Sequence, residues 1–320
     1  MHFDVFNGDA DGLLALHQLR LAEPREGVLV TGVKRDIGLL RRVEATAGDT
    51  VTVLDVAVEK NHAPLLDLLA RGVRIQWFDH HHPGPIPAHP SLDAHIDTAG
   101  DTCTALLVDR HLEGRFRAWA VAAAFGDNLE ASALRAAEPL ALDETRLAEL
   151  KVLGELLNYN AYGDTVDDLR FRPEAIFLGL RPYSNPFEFV HESLEFQILL
   201  RGHAEDMEAA WAVAPLEARD GAAIYLLPDT HWARRISGTF ANHLANARPD
   251  RAHALLTRSA TGDFVVSVRA PLANRSGADT LCLRFATGGG RKGAAGINAL
   301  PEARLEDFTT AFFDAYARSG

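Results

Sequence analysis

Cysteine is scarce in this chain, and long apolar runs are missing from it. Only Cys103 and Cys282 occur among 320 residues, which is too few for a disulfide framework or a cysteine-type zinc site, and we expect both to be small buried apolar residues. No stretch approaches the roughly 20 uninterrupted apolar residues of a membrane span, and the first residues carry no basic and apolar leader. We therefore expect a soluble, cytoplasmic protein with no membrane partner.

The chain is acidic overall, with a formal net charge of −12, and this argues against a protein that coats long nucleic acids. The charge is unevenly distributed. Residues 231–300 carry nine arginines and one lysine against three aspartates, which gives +7 there and −19 in the remainder. An acidic body with a basic region favours an anionic ligand that is bound locally.

In the first hundred residues, short β-favouring runs alternate with segments of helical periodicity. This order predicts parallel strands that are joined by right-handed helical crossovers. The predicted strands are residues 2–6, 28–33, 50–54 and 73–78, and the predicted helices are residues 11–21, 37–45 and 63–69.

Helices dominate the next part of the chain, and a second α/β pattern follows. A proline-containing break at residues 181–186 predicts the end of the first domain, and residues 187–211 predict a connecting helix or helix pair. The elements predicted elsewhere are helices at 103–111, 118–125, 144–157, 238–247 and 305–316, and strands at 222–227, 253–257, 264–269 and 281–285.

These patterns predict an α/β protein of two domains. With 47% hydrophobic residues, the chain can build two separate cores. We expect an N-terminal parallel-sheet domain at residues 1–186, a helical linker at 187–218 and a smaller α/β domain at 219–320. An active-site cleft between the two domains is expected.

Carboxylates and imidazoles stand at the ends of the apolar segments of the N-terminal part. Two aspartates lie in an extended turn after the first strand, another ends the third strand, and an Asp-His-His sequence follows the fourth. Since an open parallel sheet places its active site at the carboxyl ends of its strands, we expect these side chains to converge. They are Asp9, Asp11, Asp55, Asp79, His80, His81 and Asp127.

This combination of oxygen ligands with imidazole selects Mn²⁺ or Mg²⁺ over zinc. Asp9 and Asp11 are two residues apart and can face different ions, whereas a carboxylate such as Asp55 can bridge them. Two ions about 3.5–4 Å apart would hold a hydroxide and clamp a phosphoryl oxygen for in-line attack. The sequence therefore predicts phosphoester hydrolysis with two Mn²⁺ ions, or with Mg²⁺ in their place.

Four acidic motifs and one glycine-rich motif follow one another along nearly the whole chain. They are Asn7-Gly8-Asp9-Ala10-Asp11-Gly12, Asp55, Asp79-His80-His81, Gly126-Asp127 and Gly288-Gly289-Gly290-Arg291-Lys292-Gly293-Ala294-Ala295-Gly296. The first four resemble the motifs of the DHH phosphoesterase superfamily. The fifth resembles the glycine-rich motif of the C-terminal domain called DHHA1.

The resemblance implies a role for each matching residue. His81 would face the substrate phosphate, and Asp79 would orient the neighbouring imidazoles. Asp9 and Asp55 would hold one Mn²⁺, and the other would be held by Asp11, Asp55, His80 and Asp127.

Two residues depart from the family pattern. Many members have histidine where this chain has Asn7, and an amide oxygen is a poorer ligand than imidazole, so we expect the first ion to bind weakly or through water. The glycine-rich motif usually has histidine where Arg291 stands here. Arginine retains the capacity to bind phosphate, so we interpret this change as a shift in substrate preference.

The glycine run, Gly288-Gly289-Gly290, is suited to binding an anion independently of the resemblance. Residues without Cβ let backbone N–H groups approach an anion closely, and Arg291 and Lys292 add charged donors. Arg269, at the end of a predicted strand, is a second candidate for a terminal phosphate. The alternatives are a flexible surface loop for the glycines and an ordinary exposed strand end for Arg269.

We therefore expect a manganese-dependent phosphodiesterase that cuts short linear substrates to mononucleotides, such as pGpG- or pApA-type dinucleotides, nanoRNA or pAp. Its second domain would recognise the nucleotide end, and no long nucleic acid is expected as a partner. Two alternatives stay open: an inorganic pyrophosphatase or polyphosphatase, and a non-catalytic nucleotide sensor, which is favoured by Asn7. The sequence does not determine the base preference or the oligomeric state, for which a homodimer is one option.

Overall fold

The computed structural model describes residues 1–259 and 261–317, and the chain divides into two compact units, unit 1 (Met1–Arg201) and unit 2 (Gly202–Gly320). The division falls inside a helix, Leu194–Trp211, and within the segment 187–218 that the sequence marks as a linker. Among the described residues, no helix is both long and apolar enough to span a membrane. Both cysteines are buried, as predicted.

Unit 1 is built on a parallel five-stranded sheet with the strand order β2-β1-β3-β4-β5. Its central strands are buried along almost their whole length, and their sequences are accordingly rich in valine and aromatic residues. The strands are β1 (His2–Phe6), β2 (Val28–Val30), β3 (Thr50–Leu54), β4 (Arg74–Asp79) and β5 (Leu92–Ile96).

Helices connect these strands and follow them. The crossovers from β1 and β3 are helical, as the alternating pattern predicts. The helices are α1 (Ala10–Ala22), α2 (Val58–Ala70), α3 (Thr104–His111), α4 (Arg117–Gly126), α5 (Glu130–Ala137), α6 (Glu144–Ala161), α7 (Pro173–Leu180), α8 (Pro186–Glu192) and α9 (Leu194–Trp211).

Two parts of the secondary-structure prediction for unit 1 are wrong. The predicted helix at 37–45 is only a short 3₁₀ turn, Leu39–Arg42. Asn61 accounts for this difference: it accepts the N–H of Leu40 at 3.2 Å and donates to the carbonyl of Ile37 at 2.7 Å, so a side chain takes over bonds that a helix would make. The edge strand β5 was missed because its sequence, Leu-Asp-Ala-His-Ile, is too polar to stand out.

Unit 2 contains a mixed six-stranded sheet with the order β10-β11-β9-β8-β7-β6. Alternate residues of the sheet, such as Val266, Val268 and Ile297, form a core with Phe308 and Phe312 of the last helix. The elements are β6 (Glu217–Arg219), β7 (Ala222–Leu226), α10 (His231–Ala247), β8 (Ala252–Arg258), β9 (Phe264–Arg269), α11 (Ala278–Cys282), β10 (Gly288–Arg291), β11 (Ala294–Leu300) and α12 (Leu305–Tyr316).

The strand predicted at 281–285 is wrong, because α11 and a turn occupy this segment. The N–H groups of Leu281 and Leu283 donate to the carbonyls four residues earlier, and the buried residues are Leu281, Cys282 and Phe285. Such spacing is helical, but a run this short does not distinguish a helix from a strand. The predicted α/β architecture, with a parallel-sheet first unit and a smaller α/β second unit, is confirmed.

Candidate active site

Asp9 and Asp11 occupy the start of α1, directly after β1. The Asp9 Oδ1 atom caps the helix by accepting the N–H groups of Asp11 at 3.0 Å and Gly12 at 3.1 Å. Asp11 lies in the first helical turn. The structure thus agrees with the predicted helix at 11–21, which includes Asp11, and of the two aspartates only Asp9 has an extended backbone.

Asp55 follows β3 in a backbone conformation that few residues adopt. Its φ is 56°, which is uncommon for a residue other than glycine and is typical of strained functional positions. Its N–H donates to the carbonyl of Phe78 in β4 at 3.0 Å, and the Thr104 hydroxyl lies 3.4 Å from Asp55 Oδ1. This turn fixes the Asp55 carboxylate at the carboxyl edge of the sheet.

Asp127 directly follows α4, and two glycines allow close packing of that helix end, Gly126 against α1 and Gly154 of α6 against α4. A Cβ atom on Gly126 would lie 2.5 Å from the Cβ of Ala10, and one on Gly154 would lie 2.0 Å from the carbonyl oxygen of Ala122. Any larger residue at either position would separate the helices. Gly126 therefore allows Asp127 to approach the aspartates that follow β1.

His80 lies at the centre of these carboxylates. Its Nε2 atom is 3.4 Å from Asp55 Oδ1, 3.8 Å from Asp11 Oδ2 and 3.8 Å from Asp127 Oδ2. Four of the five metal ligands predicted from the sequence thus meet around one point. They come from α1, the end of β3, the end of β4 and the end of α4.

His81 and Asp79 form a second pair beside this cluster. His81 Nδ1 donates to Asp79 Oδ1 at 2.7 Å, and Asp79 is fully buried. Its other oxygen, Oδ2, has no partner among the described residues. The His81 side chain is 46% exposed, so the pair presents an oriented imidazole to solvent, which agrees with the role that the resemblance implies.

The amino end of α3 supports Asp11. The N–H groups of Thr104 and Ala105 donate to its two oxygens at 2.8 Å and 2.7 Å. Backbone donors at a helix start stabilise a buried negative charge. Sequence reasoning assigned no role to Thr104 or Ala105, because helix starts of this kind are common.

The cluster concentrates more buried negative charge than its protein neighbours balance. Burial, together with the charges of Asp9 and Asp11, raises the pKa of Asp55 well above its usual value. Burial also raises the pKa of Asp11. Burial opposes the charged form of His80, but its hydrogen bond to Asp55 and the carboxylate charges raise its pKa to about 10. Raised pKa values of this kind indicate that the concentrated negative charge of the site favours a bound cation.

The donor set suits divalent ions of the hard class. Single donor atoms from Asp11, His80 and Asp127 all lie within 4.8 Å of one another, and the same holds for Asp55, His80 and His81. Carboxylate oxygens with one imidazole suit Mn²⁺ or Mg²⁺.

Lys34 is a member of the site that sequence reasoning missed. It follows β2, and its ammonium group pairs with Asp9 Oδ2 and lies 3.4 Å from Asp127 Oδ1. Burial opposes its charge, but these two carboxylates raise the pKa of Lys34 well above its usual value. Burial likewise opposes the charge of Asp9, but Lys34 lowers the pKa of that carboxyl group. The sequence feature that could have indicated a role for Lys34 was its position near the carboxyl end of β2.

Asn7 holds the backbone around this ion pair. Its side-chain oxygen accepts the N–H of Asp9 at 3.3 Å, and its amide nitrogen donates to the carbonyl of Lys34 at 3.2 Å. Asn7 thus positions Asp9 and Lys34 relative to each other.

A pocket of about 410 Å³ opens onto this cluster and is large enough for a small phosphorylated ligand. It is lined by Asn7, Asp9, Lys34, Ile37, Asp55, Ala57, Glu59, Lys60, His80, His81, His82 and Asp127.

In unit 2, the predicted glycine motif forms a hairpin of β10 and β11. Arg291 pairs with Ala294, which pairs with Arg269 on β9. Residues that pair across strands point to the same face of a sheet, so the two arginines share one face, two strands apart. Ala294 lies between them, and Gly289, Gly296 and Ser267 form the next row of residues on this face.

The glycines of this hairpin serve different purposes. A Cβ atom on Gly288 would lie 1.8 Å from the carbonyl oxygen of Cys282, and one on Gly290, whose φ is 135°, would lie 2.5 Å from the Cα of Ala295. These two glycines are therefore required by the fold itself. Gly289 has open space before it, so only this position of the run is available for the close approach of a ligand.

The charged residues of the motif also differ in their contacts. Arg269 donates to Asn242 of α10 at 2.8 Å and to the Ser267 hydroxyl at 2.9 Å, which holds its guanidinium group over the sheet face. Arg291 and Lys292 are exposed, and the carbonyl of Lys292 accepts the N–H of Ala278 at 3.0 Å. The alternative of an unconstrained loop is therefore wrong for the backbone.

No protein-family model matches the sequence, and no relative is detected among curated proteins. Solved structures share the fold. Exonuclease RecJ bound to manganese has a TM-score of 0.56 and 20% identity, covering 97% of this chain and 89% of that chain. RecJ in complex with Mn²⁺ from Thermus thermophilus has a TM-score of 0.59 and 20% identity, covering 97% of this chain and 51% of that chain.

The pGpG-specific phosphodiesterase PggH from Vibrio cholerae has a TM-score of 0.52 and 15% identity, covering 97% of this chain and 99% of that chain. RecJ and PggH are DHH/DHHA1 proteins, so the resemblance predicted from the motifs is confirmed at the level of the fold. Identities this low establish the fold and nothing finer.

Proposed function

We propose that this protein is a manganese-dependent phosphodiesterase that hydrolyses short linear oligonucleotides or dinucleotides to mononucleotides. The observation that carries the proposal is the convergence of Asp11, Asp55 and Asp127 on His80 Nε2, at 3.4–3.8 Å. These residues come from separate elements, so their meeting is a property of the fold. The pocket over them can admit a phosphate group.

Each residue has a distinct role in this proposal. Asp11, Asp55, His80 and Asp127 would hold the divalent ion, which would supply Lewis-acid polarisation of a phosphoryl oxygen and an activated water. His81, which is oriented by Asp79, donates a hydrogen bond to a phosphate oxygen. Lys34 contributes a fixed positive charge near the phosphate.

Unit 2 supplies recognition in this proposal. The face that carries Arg291 and Arg269 has an exposed guanidinium group in Arg291, which suits a phosphate or a base edge, and a second one in Arg269 that Asn242 and Ser267 orient. A nucleotide end can approach Gly289 closely, because a Cβ atom at this position would meet no atom within 4 Å. This feature favours a nucleotide substrate over inorganic pyrophosphate or polyphosphate, which has no base to recognise.

Two of the similar structures support the choice of metal and substrate. RecJ is described with manganese, and PggH is described as specific for pGpG. A substrate of two to a few nucleotides also agrees with the acidic surface outside residues 231–300, because long polyanions would be repelled.

The second candidate is a nucleotide sensor without catalytic activity. It is favoured by one observation: the Asp9 carboxylate is paired with Lys34 and is not free for a second ion. A sensor would bind the nucleotide at saturating Mn²⁺ without turning it over.

The test is an assay of a substrate panel with Mn²⁺ and, separately, Mg²⁺. The panel contains pGpG, pApA, RNAs of three to about 20 nucleotides, pAp and pyrophosphate, with products separated by chromatography. We expect the highest kcat/KM on substrates of two to five nucleotides and the release of mononucleotides. Turnover of pyrophosphate alone would favour the pyrophosphatase alternative, and binding of dinucleotides without cleavage would favour the sensor.

A further inference from the structure

Lys34 lies in a cage of oxygen atoms of the kind that encloses a metal ion. Its Nζ atom pairs with Asp9 Oδ2, and lies 3.4 Å from Asp127 Oδ1 and 3.5 Å from Asn158 Oδ1. An ammonium group carries three hydrogens, so three oxygens satisfy it completely. Two of the three belong to aspartates that the sequence marks as metal ligands.

Asp9 is fully engaged by the protein in this arrangement. Its Oδ1 atom accepts two backbone N–H groups at the start of α1, and Oδ2 is paired with Lys34. The residue is 1% exposed, so the protein supplies essentially all of its surroundings. A divalent ion at Asp9 would have to displace the ammonium group.

Asn7 and Ala161 fix the backbone of Lys34. Asn7 donates to the Lys34 carbonyl at 3.2 Å, and the N–H of Lys34 donates to the carbonyl of Ala161 at 2.9 Å. The side-chain oxygen of Asn7 is used by the N–H of Asp9. Lys34 is therefore held in the site through both of its backbone polar groups, and Asn7 does not direct its oxygen at an ion.

We propose that the Lys34 ammonium group replaces one of two divalent cations, so that the centre binds a single ion through Asp11, Asp55, His80 and Asp127. The inference refines the proposed function, which assumes a metal-dependent reaction, but it concerns the number of ions and is tested without turnover. A fixed ammonium group balances the charge of Asp9 and, beside Asp127, points positive charge into the pocket. Lysine can do this because it is a compact point charge on a long stem.

The test measures Mn²⁺ bound per chain by equilibrium dialysis, with electron paramagnetic resonance to detect coupled Mn²⁺ pairs. We expect one ion and no coupled pair in the wild type. Asn7→His should also bind one ion, because Lys34 is still present. The double variant Asn7→His with Lys34→Met should bind two ions and show the coupled signal, because methionine removes the charge and imidazole binds these ions better than an amide.

Lys60→Met is the matched control, since Lys60 lines the same pocket but is paired with Glu59 and not with Asp9. It should still bind one ion. Two ions per wild-type chain would refute the inference, as would a correctly folded double variant that binds only one. Folding is checked by circular dichroism and thermal melting.

If the double variant does not fold, Lys34→Gln and Lys34→Arg replace it. Glutamine removes the charge and should admit the second ion, whereas arginine keeps the charge and should exclude it. Equal ion numbers in these two variants would refute the role of Lys34. A wild-type chain that binds one ion but cleaves nothing in the substrate panel would instead refute the proposed function and leave this inference standing.

Discussion

The two units place charge in opposite environments. In unit 1, Asp9, Asp11 and Asp55 are at most 3% exposed, and their charges crowd one another. In unit 2, Arg291 is exposed on a sheet face that carries mainly small side chains. Buried negative charge attracts a compact cation that has to lose much of its hydration, whereas an exposed cationic surface suits a larger anion that keeps part of its water. Under the proposed function, this difference assigns the chemistry to unit 1 and the recognition of the nucleotide to unit 2.

The largest expected effect is the loss of activity when a predicted metal ligand of unit 1 is replaced. Asp55→Asn should lower kcat by at least about 100-fold, which exceeds the 10- to 100-fold cost typical of residues that only support metal ligands. Asparagine is chosen because it tolerates the positive φ of this position. His80→Ala should behave similarly. Activity within tenfold of the wild type, with unchanged circular dichroism, would contradict the ligand assignment.

The second effect separates recognition from chemistry. Arg291→Ala should lower kcat/KM on a dinucleotide by roughly 10- to 150-fold, because a charge-assisted hydrogen bond contributes about 1.5–3 kcal/mol. The loss on bis-p-nitrophenyl phosphate should be smaller, and the Mn²⁺ dependence should not change. Arg284→Ala is the control, since Arg284 is exposed but lies outside the hairpin. Equal losses on both substrates would place Arg291 at the reacting phosphate.

The third prediction compares two glycines of the run, Gly290, which the hairpin requires, and Gly289, which faces open space. Gly290→Ala should destabilise unit 2 by about 1–3 kcal/mol, because its φ of 135° and its contact with Ala295 leave no room for a methyl group. Gly289→Ala should leave stability within about 0.5 kcal/mol, because nothing lies near its added methyl group. It should instead raise KM for the dinucleotide. Denaturant unfolding and kinetics of both variants check this, and equal unfolding midpoints would contradict it.

The smallest expected effect concerns a buried histidine with a lowered pKa, which each unit contains. Burial lowers the pKa of His17 in unit 1 to about 4, and burial together with the charge of Arg251 lowers the pKa of His253 in unit 2 to about 4. Unfolded histidine titrates near 6.5, so between pH 6.5 and 4 the unfolded state binds more protons, and stability falls as the pH falls. At pH 5 each histidine should cost about 2 kcal/mol relative to pH 7.

Denaturant unfolding at pH 7 and pH 5 measures this cost. His17→Gln and His253→Gln should each flatten the pH dependence. Hydrogen exchange of amides in α1 and in β8 locates the effect in one unit or the other. An unchanged pH dependence in both variants would show that neither histidine is held neutral.

Local patterns were sufficient for most of the fold. β1, β3 and α12 begin and end where the residue pattern predicts, because their apolar residues recur with the spacing of a strand or a helix. β5 and the segment around α11 were predicted wrongly because short or polar runs are assigned by their tertiary neighbours. The segment around Leu40 was predicted wrongly for the same reason, because the side chain of Asn61, distant in sequence, accepts a hydrogen bond that a helix would make within itself.

By itself, the sequence determined the order of the motifs, the α/β class and the residues that were predicted to bind metal, because these depend on residue type and spacing. Only the tertiary structure decided that Lys34 and Asn158 join Asp9 and Asp127, because a lysine in a polar loop gives no sign of the oxygens it will meet. It also decided that Gly288 and Gly290 are required by the hairpin while Gly289 faces open space. Such distinctions depend on atoms that are distant in sequence and become neighbours only after folding.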